Sequence, residues 1–281
     1  MSASTSSGEI SCHVQEVLNK IAAWPLEGAD QLHPDYVRFR FVDLKLLKEP
    51  IRFILQLQEQ RQNGELRVLD AGTGLGVIPL TLNRLGIEAF ACDHPREERF
   101  RPLFQVEGIP YQSVDFMQGE LPYPNEFFNV VIFKDVIEHF PFSPKQTLEG
   151  FHRILRPEGF LFLVTPNLAR LSSRVRLLLG KSVHPPADLF FNSEFPFHGH
   201  YREYTVRELK RILNSVKFRV LRTKYTQQSD ILFLLQERKK FKRNRFQQIS
   251  WKQILALLAW KPFSTAIPSL SQMIVMVAQK E

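Results

Sequence analysis

"VLDAGTGLGVIPLTL", residues Val68 to Leu82, decides how the rest of the chain is read. It is a hydrophobic run broken by Gly72, Gly74 and Gly76 at every second position, with Asp70 just before them. Val68-Leu69 reads as the end of a buried strand and Val77-Ile78-Pro79-Leu80 as the start of a helix. Glycines at such a junction let the backbone turn sharply and come close to a ligand. A P-loop would need Lys-Ser or Lys-Thr after the last glycine, and neither follows. A dinucleotide fingerprint would need Gly or Ala where Val77 stands, so that device fits poorly. Asp93 lies 21 residues after Gly72 and ends the apolar run "IEAFACD". A carboxylate there can accept from both hydroxyls of a ribose, although an ordinary turn aspartate would look the same.

Outward from this loop the chain alternates short apolar runs with helical stretches. The strands are "LRVLD", "IEAFACD", "IPYQSVD", "FFNVVIFKD", "GFLFLVTPN", "FRVLRTKYT" and "QMIVMVAQK". Helices are expected over Gly74–Leu85, Pro95–Val106, Pro144–Leu155 and Val206–Asn214, with a turn at "RPEG". Strands separated by helices imply right-handed crossovers, hence a doubly wound α/β fold with a mostly parallel seven-stranded sheet. The last two strands lack a strong helical crossover and predict an antiparallel edge. Residues 1–62 read as a helical N-terminal cover and 63–281 as the main domain. Residues 168–201 interrupt the rhythm with a short basic helix and a Pro- and Phe-rich loop, a lid-like insertion.

The 281 residues are 44% hydrophobic, enough for a sizeable core, and carry a net charge of +8. The charge is concentrated. Residues 170–261 hold 20 Lys/Arg against 6 Asp/Glu, while the remainder holds 17 against 23. Cys12 and Cys92 match no metal spacing and fit a reducing compartment. The start "MSASTSSGEI" lacks the order of a signal peptide, and no run of about 18 apolar residues occurs. A cytoplasmic protein is expected.

The ordered set D-x-G-x-G-x-G at Asp70–Gly76, Asp93, "SVDF" and "LPYPNEFFNVVIFKDVIEHF", then "FHRILRPEGFLFLVTPN", resembles the class I S-adenosylmethionine-dependent methyltransferases. It is most similar to their small-molecule branch, which includes quinone and saccharide biosynthesis enzymes; "HGHYREYTVRELKRIL" resembles a segment of that branch. The resemblance covers roughly Leu66 to Phe218 and implies a Rossmann-like fold with S-adenosyl-L-methionine as cofactor. It implies that Asp70, Gly72, Gly74 and Gly76 approach the methionine end, Asp93 the ribose, and Asp115 with Phe116 the adenine. Lys134 and Asp135 would border the sulfonium and the substrate. Two positions depart from the family pattern: Asn129 replaces an Asp, and Glu158-Gly159 replaces Gly-Gly. On this reading a Val at position 72 would fill the ligand's space.

Methyl transfer from a sulfonium asks mainly for alignment in a dry pocket. An oxygen nucleophile also needs a base near neutral pH, commonly His. His139, just past the fourth strand in "DVIEHF", is the first candidate, and His198 and His200 in "HGH" follow. A brace holding a loop would account for His139 equally well. No metal is assigned, because H-x-H beside Glu138 and His139 would need three converging ligands. "REY" at Arg202-Glu203-Tyr204 equally suits an ion pair fixing the next helix, with Thr205 as N-cap and Glu208 at the capping-box position. The run "ERKKFKRNRF" beside "WKQILALLAW", together 237–262, suits a membrane surface and a lipid-linked acceptor, while core packing of that helix is the plainer reading. Nucleic acid is not expected, since no stacking aromatics are interleaved with the basic residues. The function expected is O-methylation of a small molecule; a non-catalytic scaffold and an NAD-dependent oxidoreductase are the alternatives.

Overall fold

The computed structural model describes residues 7–25, 44–61, 64–118, 120–194, 197, 199–227, 259 and 266–281. Its centre is one seven-stranded sheet in the order β3-β2-β1-β4-β5-β7-β6. The strands are β1 (Arg67–Ala71), β2 (Glu88–Asp93), β3 (Tyr111–Ser113), β4 (Phe128–Lys134), β5 (Leu155–Pro166), β6 (Phe218–Thr226) and β7 (Met273–Lys280). The first five pair in parallel, and β7 runs antiparallel to both β5 and β6. The expected antiparallel edge is therefore built with the reversed strand one place in and β6 outermost. The chain order turns round between β1 and β4, and ligands of open α/β sheets bind at the carboxyl ends of the strands flanking such a point.

Two helices precede the sheet, α1 (Ser7–Ala23) and α2 (Leu44–Gln60). Ile10, Val14, Val17, Leu18 and Ile21 recur at helical spacing on α1 and are buried; Leu47, Ile51 and Ile54 do the same on α2. Both stripes join one core cluster with Val68 of β1 and with Ile78 and Leu82 of α3 (Val77–Arg84). Each such side chain contributes about 1.5–3 kcal/mol by leaving water. A second cluster on the other face joins Leu69, Val131 and Phe133 to α5 (Lys145–Ile154) and α8 (Val206–Ser215).

Three local differences from the expected elements have physical causes. The helix expected over Pro95–Val106 is a 3-10 turn, Pro95–Phe100, followed by α4 (Arg101–Val106). Pro102 has no N–H and sits near the start of α4, so one helix cannot run through it. The glycine loop extends to Gly76, which caps α3 with φ 74°, so that helix begins three residues later than expected. The "RPEG" turn is drawn into β5, where the register against β4 shifts between Phe128 and Val130. Glu158 has φ 60° there, a conformation that explains why a Gly would be usual at that position. Asn129 is structural: buried, it accepts the Arg67 backbone N–H at 2.9 Å through Oδ1 and ties β4 to the start of β1.

Candidate active site

Asp70, buried one residue before the end of β1, accepts from Thr73 Oγ1 at 2.8 Å. Burial pushes its pKa up to about 7; the Thr73 hydrogen bond and the Lys134 charge oppose the shift, and the charge of Asp93 adds to it. The glycine loop then passes over the end of β2, with Gly72 N–H and Thr73 N–H both donating to the Cys92 carbonyl. Asp93 reaches back to that loop: Oδ2 accepts Gly74 N–H at 2.6 Å, and Oδ1 accepts His94 N–H at 2.7 Å. A Cβ at Gly74, where φ is 55°, would meet nothing within 4 Å. Open space lies above Gly74, beside two carboxylates, as close approach of a ribose-bearing cationic ligand requires. At Gly72 the picture differs from expectation, because a Cβ there would lie 2.3 Å from Val136 Cγ2 rather than in ligand space.

Asp115 uses both carboxylate oxygens locally, accepting from Met117 N–H and Gln118 Nε2. The Phe116 ring packs in the core 6.1 Å from Phe133 and 6.4 Å from Phe151, and its carbonyl accepts from Thr147. The ring of Phe116 therefore serves the core. Lys134 and Asp135 at the end of β4 form an ion pair with each other. Asp135 adopts φ 56°, and its buried Oδ1 has no hydrogen-bond partner among the described residues. Strain and an unmet acceptor together are usual where backbone is held for function.

The next turn, Ile137–His139, carries Glu138 and His139 into the second half of the site. Glu138 is buried and accepts from Thr165 Oγ1 at 3.0 Å; its carbonyl accepts the N–H groups of Tyr201 and Arg202. Burial raises its pKa, the neighbouring Asp135 charge raises it further, and His200 and Thr165 oppose the shift. His139 Nδ1 lies 3.0 Å from the Gly199 carbonyl, and its ring meets that of His200 edge-on at 4.9 Å. One ligand-type atom each from Glu138, His139 and His200 falls within 4.8 Å of the others. The convergence that the sequence could not establish for a cation is thus present for three of the four residues named, Glu138, His139 and His200. His198 lies outside the described residues.

The segment after Gly199 does two separate jobs. Thr205 and Glu208 form the expected capping box of α8, and Arg202 pairs with Glu208. Glu203 is not part of that cap; it contacts His200 Nδ1 at 3.1 Å and pairs with Arg170. Arg170 is the N-cap of α6 (Leu171–Leu178), which with α7 (Ala187–Phe191) falls in the segment 168–201 that the sequence reads as lid-like. In the sequence Glu138 stands out only for a cation and Glu203 only for a helix-fixing ion pair, while Thr165 and Arg170 do not stand out. They come from four separate stretches, and only the fold joins them.

The methyltransferase domain family matches residues 36–223, more than half of the chain. Relatives include the demethylmenaquinone methyltransferase of Chlorobaculum tepidum, 25% identical over 149 residues, covering 50% of this chain and 58% of that protein. The mitochondrial ubiquinone biosynthesis O-methyltransferase of Dictyostelium discoideum is 25% identical over 166 residues, covering 53% and 48%. The chain thus spans about half the length of the curated relatives it matches. Among solved structures, the [4+2]-cyclase SpnF aligns with TM-score 0.54 at 17% identity, covering 99% of this chain and 96% of that one. A putative sarcosine dimethylglycine methyltransferase from Galdieria sulphuraria aligns with TM-score 0.54 at 14% identity, covering 97% and 98%. With the sheet order, the glycine loop and this match in hand, the chain belongs to the methyltransferase domain family and has the class I S-adenosylmethionine-dependent fold.

Proposed function

We propose that this protein transfers a methyl group from S-adenosylmethionine to an oxygen of a small, lipid-linked acceptor such as a hydroxylated quinone precursor. The observation that carries the reading is the meeting of the two half-sites: an open glycine loop with Asp70 and Asp93, and a histidine pair beside buried Glu138. The names of the relatives support the acceptor class. The bound cofactor supplies an electrophilic methyl on a sulfur that leaves as a neutral thioether. The protein's part is to orient, exclude water and take one proton. Asp93 holds the ribose hydroxyls, Asp70 faces the cationic end, and the histidine pair receives the acceptor's proton. Calorimetry decides the cofactor: S-adenosylhomocysteine binds and NAD does not. Asp93→Ala should weaken that binding by about 1–3 kcal/mol, since it strips partners from the ribose. Binding of NAD in place of the homocysteine ligand would overturn the assignment.

Asp70 gives the reading a pH signature. Its folded pKa stands above the ordinary 3.8, so the ligand-free fold holds a proton there up to about pH 7. The contribution of Asp70 to the stability of the ligand-free protein accordingly falls as pH rises from about 4 to 7 and is flat above. A cationic ligand favours the ionised carboxylate and expels that proton. Cofactor affinity should rise about tenfold per pH unit below 7 and level off above. Asp70→Asn should flatten the profile, which titration calorimetry across pH 5.5–8.5 would show.

The membrane contact expected from residues 237–262 lies outside the described residues, apart from Ala259. A second surface supports the same proposal. Leu177, Leu178 and Leu179 at the end of α6, with Leu189, Phe190 and Phe191 on α7, are exposed; Phe191 is 86% exposed. Arg174, Arg176 and Lys181 lie among them. Apolar side chains ringed by basic ones suit an anionic bilayer visited from the cytoplasm. No helix among the described residues is long and apolar enough to cross a membrane. Leu178→Glu with Phe191→Glu should reduce flotation with anionic vesicles and leave cofactor affinity unchanged. Undiminished flotation would remove the lid from the contact.

A further inference from the structure

Glu203 is a carboxylate held inside the protein, its side chain 11% exposed, with no part in the helix cap beside it. One oxygen, Oε1, faces His200 Nδ1 at 3.1 Å, and the other, Oε2, takes Arg170. Arg170 is itself anchored, donating to the Asn167 carbonyl at 3.1 Å. Asn167 is fixed in turn: Nδ2 donates to the carbonyls of Ser269 and Ser271, and Asn167 bridges Tyr204. A rigid chain of contacts therefore runs from the carboxyl end of β5 through Arg170 and Glu203 to His200. The other groups facing His200 are His139, edge-on, and Glu138.

An ionised carboxylate can only accept hydrogen bonds, so the nitrogen that faces it carries the hydrogen. In neutral His200 this leaves Nε2 as the acceptor. We propose that Glu203, clamped by Arg170, is a positioning residue that fixes the tautomer of His200 and so makes His200 Nε2 the group that takes the acceptor's proton. His139 is held differently, by a neutral carbonyl, and braces the loop that carries His200. The inference rests on the methyl-transfer reading. In that step an oxygen lone pair of the acceptor forms the O–CH3 bond, and the C–S bonding pair returns to sulfur. The O–H proton moves to Nε2, and the imidazolium formed faces the carboxylate of Glu203.

Glu203→Gln gives a sharp test, because Arg170 offers only donors. The Gln oxygen must turn to Arg170, and its amide NH2 then faces His200 Nδ1. That nitrogen becomes the acceptor, and the ring proton moves to Nε2. Imidazole nitrogen NMR of the acceptor-free protein should report Nδ1–H in the parent and Nε2–H in Glu203→Gln. The variant should lose kcat by a factor on the order of 10² or more, as loss of a general base implies, with KM and cofactor affinity held. Glu203→Asp, which keeps the charge, should restore the parent tautomer and part of the rate. An unchanged tautomer in Glu203→Gln would overturn the proposal whatever the reaction proves to be. Loss of activity on chelation with recovery on adding a divalent cation would overturn it as well, by giving His200 to a metal. Failure of S-adenosylhomocysteine to bind the parent would instead strike the methyl-transfer reading and leave the tautomer result standing.

Discussion

His200→Ala should lower turnover by a factor on the order of 10²–10⁴ while cofactor affinity stays nearly constant. Among the described residues the ring's contacts are with Glu203 and His139 and none is with the glycine loop, so its loss removes no group assigned to the cofactor. The sequence makes His139 the first candidate base, ahead of His200; as proposed above, the surroundings of the two rings favour the opposite order. His139 has a carbonyl at Nδ1, whereas His200 has a carboxylate, and that hydrogen bond raises the His200 pKa, with burial opposing. Glu203 shifts the other way: burial alone would raise it, but the bonds from His200 and Arg170 outweigh burial and keep it ionised. His139→Ala should therefore cost less in kcat than His200→Ala, and its loss should appear partly as a loosened loop. Steady-state kinetics on both variants, with calorimetry for the cofactor, separates the roles. A larger kcat loss in His139→Ala would return the base to that residue.

The legible part of this protein is the part written locally. β1, β2 and β4 are recognisable because apolar residues fill their buried centres on both faces, with the charged residues near the ends. The capping box at Thr205 and Glu208 is legible because both members lie within one turn. Asp70, Asp93 and the glycine loop were legible because the strand ends bring them to one edge. What the sequence does not show at Phe116 is where its ring goes: an aromatic after an acidic strand end looks the same whether the ring faces outward or packs on Phe133. The acid–base half was only half visible. His139 and His200 stand out as residue types, but Glu203 reads as half of a helix-fixing ion pair until Arg170, 33 positions earlier, is seen beside it. Glu138 is hidden for the same reason, since the hydroxyl that satisfies it, Thr165, belongs to the next strand.

The largest effect on cofactor binding should come from the glycine loop, where each glycine is small for a different reason. Gly76 lies under Phe104, whose ring carbon would be 2.4 Å from a Cβ; substitution there strikes the core and should cost stability. Gly72→Val should abolish binding, by a route unlike the one its sequence implies. The new Cβ would meet Val136 in the turn between Asp135 and Glu138, and φ 79° resists any β-branched residue. Pushing that turn away from the loop disturbs both half-sites together, so turnover should vanish with affinity. Gly74→Ala is the cleaner measurement, because its Cβ enters open space and its backbone strain is about 1–2 kcal/mol. The fold should survive with a modest loss of thermal stability, and affinity for S-adenosylhomocysteine should fall by at least tenfold, because the methyl occupies the space the ligand needs. Calorimetry and a melting curve on Gly74→Ala read the two effects separately. Full affinity in that variant would mean that the ligand does not pass over Gly74, and the cofactor site would have to be sought elsewhere along the strand ends.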